Sequence, residues 1–293
     1  MRPPFVRIPT VVWSGMLAFV LTIVAGGIWT ALLIGNAATT SAIPWSVVVM
    51  GLLLWLMWQY LGGRWGPQRT SAARRRYLRA RPLSRPVFAW AVIAGLLALV
   101  ALIGFWIVLV QLGAQPARSL PTFSGAPLIT VALLLIMAAL VSALAEEAGF
   151  RGYFQGILEG RLSGLAAIVV AALVIAPAHG LTQGFLWPTV LWYFLVDLML
   201  GGMAYLTRSI LPGILVHSLG LLAFFALVWP YDAQRPLALK TGADLWFWLA
   251  VAQAILGAAL AILAFRRLAR LTSAARVVVS NPLRSASAGE PAR

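Results

Sequence analysis

The chain has no cysteine, which excludes a disulfide frame, a thiol nucleophile and a thiolate metal site. Acidic residues are also scarce: Asp and Glu number 7 against 22 Lys and Arg, and histidine occurs only twice. Charged residues make up 10% of the sequence, far below the roughly 25% of a soluble domain. That shortage excludes an ordinary water-soluble surface. The His-Glu-x-x-His spacing of zinc proteases is missing. So is the polar–apolar alternation that a membrane β-barrel needs. No internal repeat and no separate soluble domain interrupts the chain.

What is present is apolar. Hydrophobic residues make up 62% of the chain, mean hydropathy is +0.93, and 13 Trp suit interfacial belts. Apolar runs recur at about 11–35, 44–61, 87–112, 126–150, 164–182, 189–206, 211–229 and 245–265. Each reaches or approaches the ~20 residues a helical span needs. The first run exceeds the ~7–15 residues of a signal-peptide core, so it reads as a retained span. The expected fold is all-α: a polytopic membrane helix bundle of about eight transmembrane helices. One bundle is expected over 1–270, followed by a disordered cytoplasmic tail over 271–293, rich in Ser, Ala and Arg.

With the N-terminus in the cytoplasm, nineteen basic residues lie inside and three (Arg118, Arg235, Lys240) lie outside. This asymmetry places both termini in the cytoplasm and the protein, multi-pass, in the cell membrane. A net charge of +15 invites a nucleic-acid partner. The arginines, however, sit between apolar runs, as topology signals do, so no nucleic acid is expected. The lipid bilayer is the partner that composition demands; the sequence sets no oligomeric state. The Arg-rich, Pro-punctuated segment 62–86 reads as a solvated cytoplasmic loop, with lipid headgroups as its other contact.

Two of the seven acids, Glu146 and Glu147, lie side by side in an apolar run, with Arg151 close behind. An ionisable group at membrane depth costs ~2.5–3.5 kcal/mol on insertion scales, so such groups pair, face the interior or carry function. On a helix Glu147, Arg151, Gln155 and Glu159 share a slowly drifting face, and Glu147 can pair with Arg151. Glu146 is turned ~100° away and is available for a different task, that of a general base.

The two histidines, His179 and His217, also fall in apolar runs. A lone buried histidine is more often a satisfied core residue than a ligand. Depth speaks for more. Gly160–Gly164 reads as a turn, and Glu146 and His179 are nearly equidistant from it along antiparallel helices. His217 lies about 13 Å beyond Arg208 along a helix, and Glu146 about 8 Å from Arg151. If Arg151 marks the interface, all three side chains meet in the cytoplasmic half of the bilayer. A carboxylate and two imidazoles suit water activation, with an imidazole or a metal steadying the oxyanion. Glu146, His179 and His217 are the candidate ligands for a divalent metal such as zinc, which the spacing does not demand.

These residues resemble the CAAX prenyl protease and bacteriocin-processing family, also called Abi or CPBP, which includes the type II CAAX prenyl endopeptidases. The family pattern is Glu-Glu-x-x-x-Arg, then Phe-x-x-x-His, then His-x-x-x-Asn/Asp. Glu146-Glu147-Ala-Gly-Phe-Arg151 matches the first motif. Ile175-Ala-Pro-Ala-His179 has Ile for Phe, and His217-Ser-Leu-Gly-Leu221 has Leu for Asn or Asp. The likeness covers about 125–225. It implies an intramembrane endopeptidase that cuts a peptide or membrane-protein substrate near the cytoplasmic face. Glu146 would activate water beside His179, His217 would help hold the oxyanion, and Glu147 and Arg151 would order the site.

Leu221 removes a donor, and one such donor is worth ~10²–10³ in rate. The two asparagines, Asn36 and Asn281, lie far along the chain. Asp197 is the candidate substitute, against the simpler reading of a polar contact between helices. The competing classes are a catalytically impaired relative acting as a membrane scaffold or immunity protein, and a transporter using Glu146, Glu147 and Asp197 as proton-coupling sites.

Overall fold

A computed structural model describes residues 7–39, 42–113, 125–180, 185–228 and 237–280. Proline sets most helix starts, because it lacks the N–H that a helix interior needs but fits the first turn. Helix α1 is Arg7–Thr39. Pro44 precedes α2 (Trp45–Leu61), and Pro67 precedes α3 (Gln68–Leu78). Helix α4 (Arg85–Gln111) carries proline in its first turn, and α5 begins at Leu128 after Pro127. Helix α6 (Gly164–Ile175) is capped by the Ser163 side chain and ends in a 3₁₀ turn, Ala176–His179. Helices α7 (Trp187–Thr207) and α8 (Leu211–Ala223) again open with proline, and α9 is Leu245–Ser280. No strand occurs among the described residues.

The chain is a multi-pass, all-helical membrane protein. Among the described residues five helical stretches are long and apolar enough to cross a bilayer: Thr10–Thr39, Arg85–Gln111, Leu128–Leu158, Trp187–Thr207 and Leu245–Ala274. Three shorter apolar helices, Trp45–Leu61, Gly164–His179 and Leu211–Ala226, occupy the remaining apolar runs.

Three expectations change. The fourth run does not stop near 150: α5 continues to Leu158 through a π-helical stretch, Glu147–Phe154. Segment 62–86 is not an open loop, since it holds α3 and buries Arg74 and Arg79. Those guanidinium groups found partners: Arg74 lies 4.3 Å over the Tyr60 ring and donates to the Pro67 carbonyl, while Arg79 reaches α5 and α7. Helix α9 extends to Ser280, past the expected start of the tail at 271; residues 281–293 lie outside the described residues.

Helix α5 is central, packed on α1, α2 and α8, while α6 lies along α7. Helices α4 and α9 touch backbone to backbone. A Cβ added at Gly104 would meet the Ala250 carbonyl at 2.7 Å, and one at Gly257 would meet the Ala101 nitrogen at 2.8 Å. Small residues permit this approach where lipid supplies no hydrophobic drive between helices. Trp106, Trp192, Leu200, Met203 and Phe224 fill the core between α4, α7 and α8. Trp192 also donates its indole N–H to the Leu102 carbonyl at 2.7 Å. This packing brings α5, α7 and α8 side by side.

Candidate active site

Polar side chains from α5, α7 and α8 meet in the interior. Every residue of the π stretch Glu147–Phe154 is buried. A π turn inserts a residue into the α-helical ladder, and such turns are frequent at functional sites. Glu147 is 0% exposed, Arg151 2%, Asp197 4%, Glu146 7% and His217 9%. Arg151 Nε lies 3.5 Å from Glu147 Oε1, and its terminal nitrogen donates to Asp197 Oδ1 on α7. One guanidinium thus joins two buried carboxylates from different helices.

His217, on α8, faces both adjacent glutamates. Its Nδ1 is 3.2 Å from Glu147 Oε1 and its Nε2 is 3.8 Å from Glu146 Oε2. A buried carboxylate beside Nδ1 favours a proton there, which fixes the tautomer and aims Nε2 at Glu146. Arg151 thus stands between Glu147 and Asp197, and His217 between Glu147 and Glu146. Gly213, one turn before His217, makes room: a Cβ there would lie 2.5 Å from Glu147 Oε2. That oxygen is buried without a hydrogen-bond partner among the protein atoms.

His179 ends the 3₁₀ turn after α6 and is partly buried. Its ring stacks on Tyr193 of α7, with centroids 3.7 Å apart and planes at 7°. It lies within electrostatic reach of Glu146, His217 and Arg151. The sequence-chosen residues Glu146, Glu147, Arg151 and His217 therefore form one contact network, and His179 stands at its edge.

One placement differs from expectation: Arg151 does not mark the membrane interface but is a buried ion-pair partner. Asp197 takes the simpler of its two readings, a polar contact between helices, accepting from Arg151 and so joining α5 to α7. Leu221 is partly buried one turn beyond His217 and offers no donor. Among the described residues no group of three or more His, Asp or Glu side chains is arranged to hold a metal ion. Of the three candidate ligands, Glu146 and His217 face each other at 3.8 Å, while His179 lies against Tyr193.

Sequence reasoning passed over Tyr193, Gly213 and Arg79. Tyr193 precedes Asp197 by four residues and Gly213 precedes His217 by four, which places each pair on one helix face. Those spacings were the available signal. Arg79 gave none: its guanidinium donates to the Arg151 carbonyl at 3.3 Å and to the Ala204 carbonyl at 3.0 Å, and it pairs with Glu159 at 2.9 Å.

Residues 128–223, about a third of the chain, match the family described as Rce1-like, type II CAAX prenyl endopeptidase Rce1-like. The matched segment runs from the start of α5 to the end of α8 and contains every residue of the network. No curated protein and no solved structure matches the chain.

Proposed function

We propose, from the match of residues 128–223 to the Rce1-like type II CAAX prenyl endopeptidases, a family of proteases, that the protein is an intramembrane endopeptidase whose general base is Glu146. The observation that carries this reading is His217 spanning two adjacent buried carboxylates, 3.2 Å from Glu147 and 3.8 Å from Glu146.

Glu146 takes a proton from water. The water oxygen then bonds to the carbonyl carbon of the scissile peptide, whose oxygen becomes an oxyanion. Protonated His217 donates to that oxyanion through Nε2, while Glu147 holds Nδ1. The C–N bond breaks, and Glu146 returns its proton to the leaving amine. Arg151 and Asp197 fix Glu147. His179, held flat against Tyr193, positions the peptide or supplies the donor that Leu221 lacks. In this reading the eight apolar helices all cross the cell membrane, both termini are cytoplasmic, and the substrate is a membrane-proximal peptide bond on the inner side.

The test is cleavage of a membrane-proximal peptide by pure protein in nanodiscs, with and without chelator. Glu146→Gln is expected to lower kcat at least about 10²-fold, the lower range for one acid–base group. Undiminished turnover in that variant would reject Glu146 as the base. Leu221 favours a second reading, a family member that keeps the pocket without turnover and acts as a scaffold or immunity protein. In that case the wild-type chain cleaves nothing, and Glu146→Gln preserves its cellular effect.

A further inference from the structure

A second polar site lies at the end of the bundle where α5 and α7 terminate. It is a basin of about 540 Å³ lined by Arg76, Arg79, Arg81, Arg161 and Arg208, with Glu159 the one carboxylate among its described lining residues. Thr10 of α1, Tyr77, Ile157 and the backbone at Gly156 and Gly160 also line it. Nothing in the proposed reaction uses it.

The single acid is already committed. Glu159 Oε1 accepts from Arg79 at 2.9 Å and from Gln155 at 2.9 Å, and Oε2 accepts from Arg208 at 2.6 Å. Arg79 is buried beneath the floor, and burial pushes its guanidinium below the usual range against the pull of Glu159. Arg76, Arg81, Arg161 and Arg208 are exposed to the basin. Among the described lining residues five arginines face one carboxylate, so the basin carries a net positive charge.

Two more observations set its use. Among the described residues the only non-glycine residues with positive φ are Arg79 (58°) and Arg208 (55°), both in this wall. They are the left-handed C-caps of α3 and α7, and these two helix ends turn both side chains into the basin. Arg208 also lies 4.9 Å over the Tyr205 ring, and Arg76 lies 5.9 Å over the Tyr77 ring. Tyr205 at the end of the spanning helix α7 suits the headgroup level.

We propose that this basin binds the phosphate-bearing headgroup of an anionic phospholipid. The forked guanidinium donors match phosphate oxygens two at a time. Basic pockets between spanning helices are suited to anionic headgroups. The site stands independently of the protease reading.

The full chain in neutral detergent would be titrated with phosphatidylglycerol or phosphatidylcholine, and retained lipid read by native mass spectrometry. Wild type is expected to keep phosphatidylglycerol in preference. The exposed-residue double variant Arg81→Gln/Arg161→Gln lowers that retention by about tenfold or more. Arg266→Gln/Arg267→Gln removes the same charge from exposed positions on α9 and leaves the preference intact. Equal retention of both lipids, a preference that survives in Arg81→Gln/Arg161→Gln, or equal loss in the α9 control would overturn the proposal. Displacement of the lipid by millimolar inorganic phosphate would overturn it too, making the basin a soluble-anion site. Thermal unfolding of each variant confirms that a lost preference is not lost folding.

Discussion

Replacing Gly213 by alanine sets two effects of opposite sign against each other. Within a helix, alanine is favoured over glycine by roughly 0.5–1 kcal/mol. At this position, however, the new Cβ lies 2.5 Å from Glu147 Oε2, where contact between unbonded atoms settles nearer ~3.5 Å. The carboxylate or α8 must give by about 1 Å. The carboxylate is not a loose end, because Arg151 at 3.5 Å and His217 at 3.2 Å both hold it. A movement of that size takes the His217 contact out of hydrogen-bond range. A bond to a charged group contributes about 1.5–3 kcal/mol, more than the helix preference returns. Gly213→Ala is therefore expected to lower stability by about 1 kcal/mol and kcat/KM by about ten- to a hundredfold. Peptide cleavage in nanodiscs and thermal unfolding read the two quantities. Gly202→Ala on α7 is the control, since a Cβ there meets nothing within 4 Å. A Gly213→Ala protein that cleaves at the wild-type rate and melts higher would refute the coupling of Gly213, Glu147 and His217.

Asp197→Ala leaves the buried Arg151 with one carboxylate, and unfolding should register a loss of about 3–5 kcal/mol; an unchanged melting temperature contradicts the α5–α7 ion pair. Tyr193→Leu removes the ring stacked on His179, and cleavage should fall about tenfold. Tyr193→Phe keeps the stack and the rate, so equal losses in both variants point to the hydroxyl instead. Gly104→Val drives a side chain into the α9 backbone 2.7 Å away, and a loss of about 1–3 kcal/mol is expected from overpacking. A neutral result in thermal unfolding contradicts the close α4–α9 contact.

Much of the fold was legible because long apolar runs leave the chain few alternatives, and because Pro44, Pro67, Pro86, Pro127, Pro188 and Pro212 punctuate the helix starts. The Glu147–Arg151 pair was legible for the same reason: four-residue spacing is a local property. What failed was long-range. Arg79 looks like any loop arginine until the chain folds it onto Arg151 and Ala204, 72 and 125 residues away. Arg151 looked like a boundary charge because its partner Asp197 is 46 residues downstream. The π stretch was hidden as well, since the slip from i+4 to i+5 depends on what packs around Glu147–Phe154 rather than on its composition.

That stretch makes the length of α5 part of its chemistry. Because a π turn absorbs one inserted residue, the helix beyond it keeps nearly the register of an uninterrupted α-helix. Gln155 therefore still meets the Gly201 carbonyl, and Glu159 still meets Arg79 and Arg208. A deletion in the plain α-helical part of α5, with no bulge to absorb it, would turn everything downstream by about 100° and break those contacts. Evolution can exchange side chains along this rod far more readily than it can change its residue count.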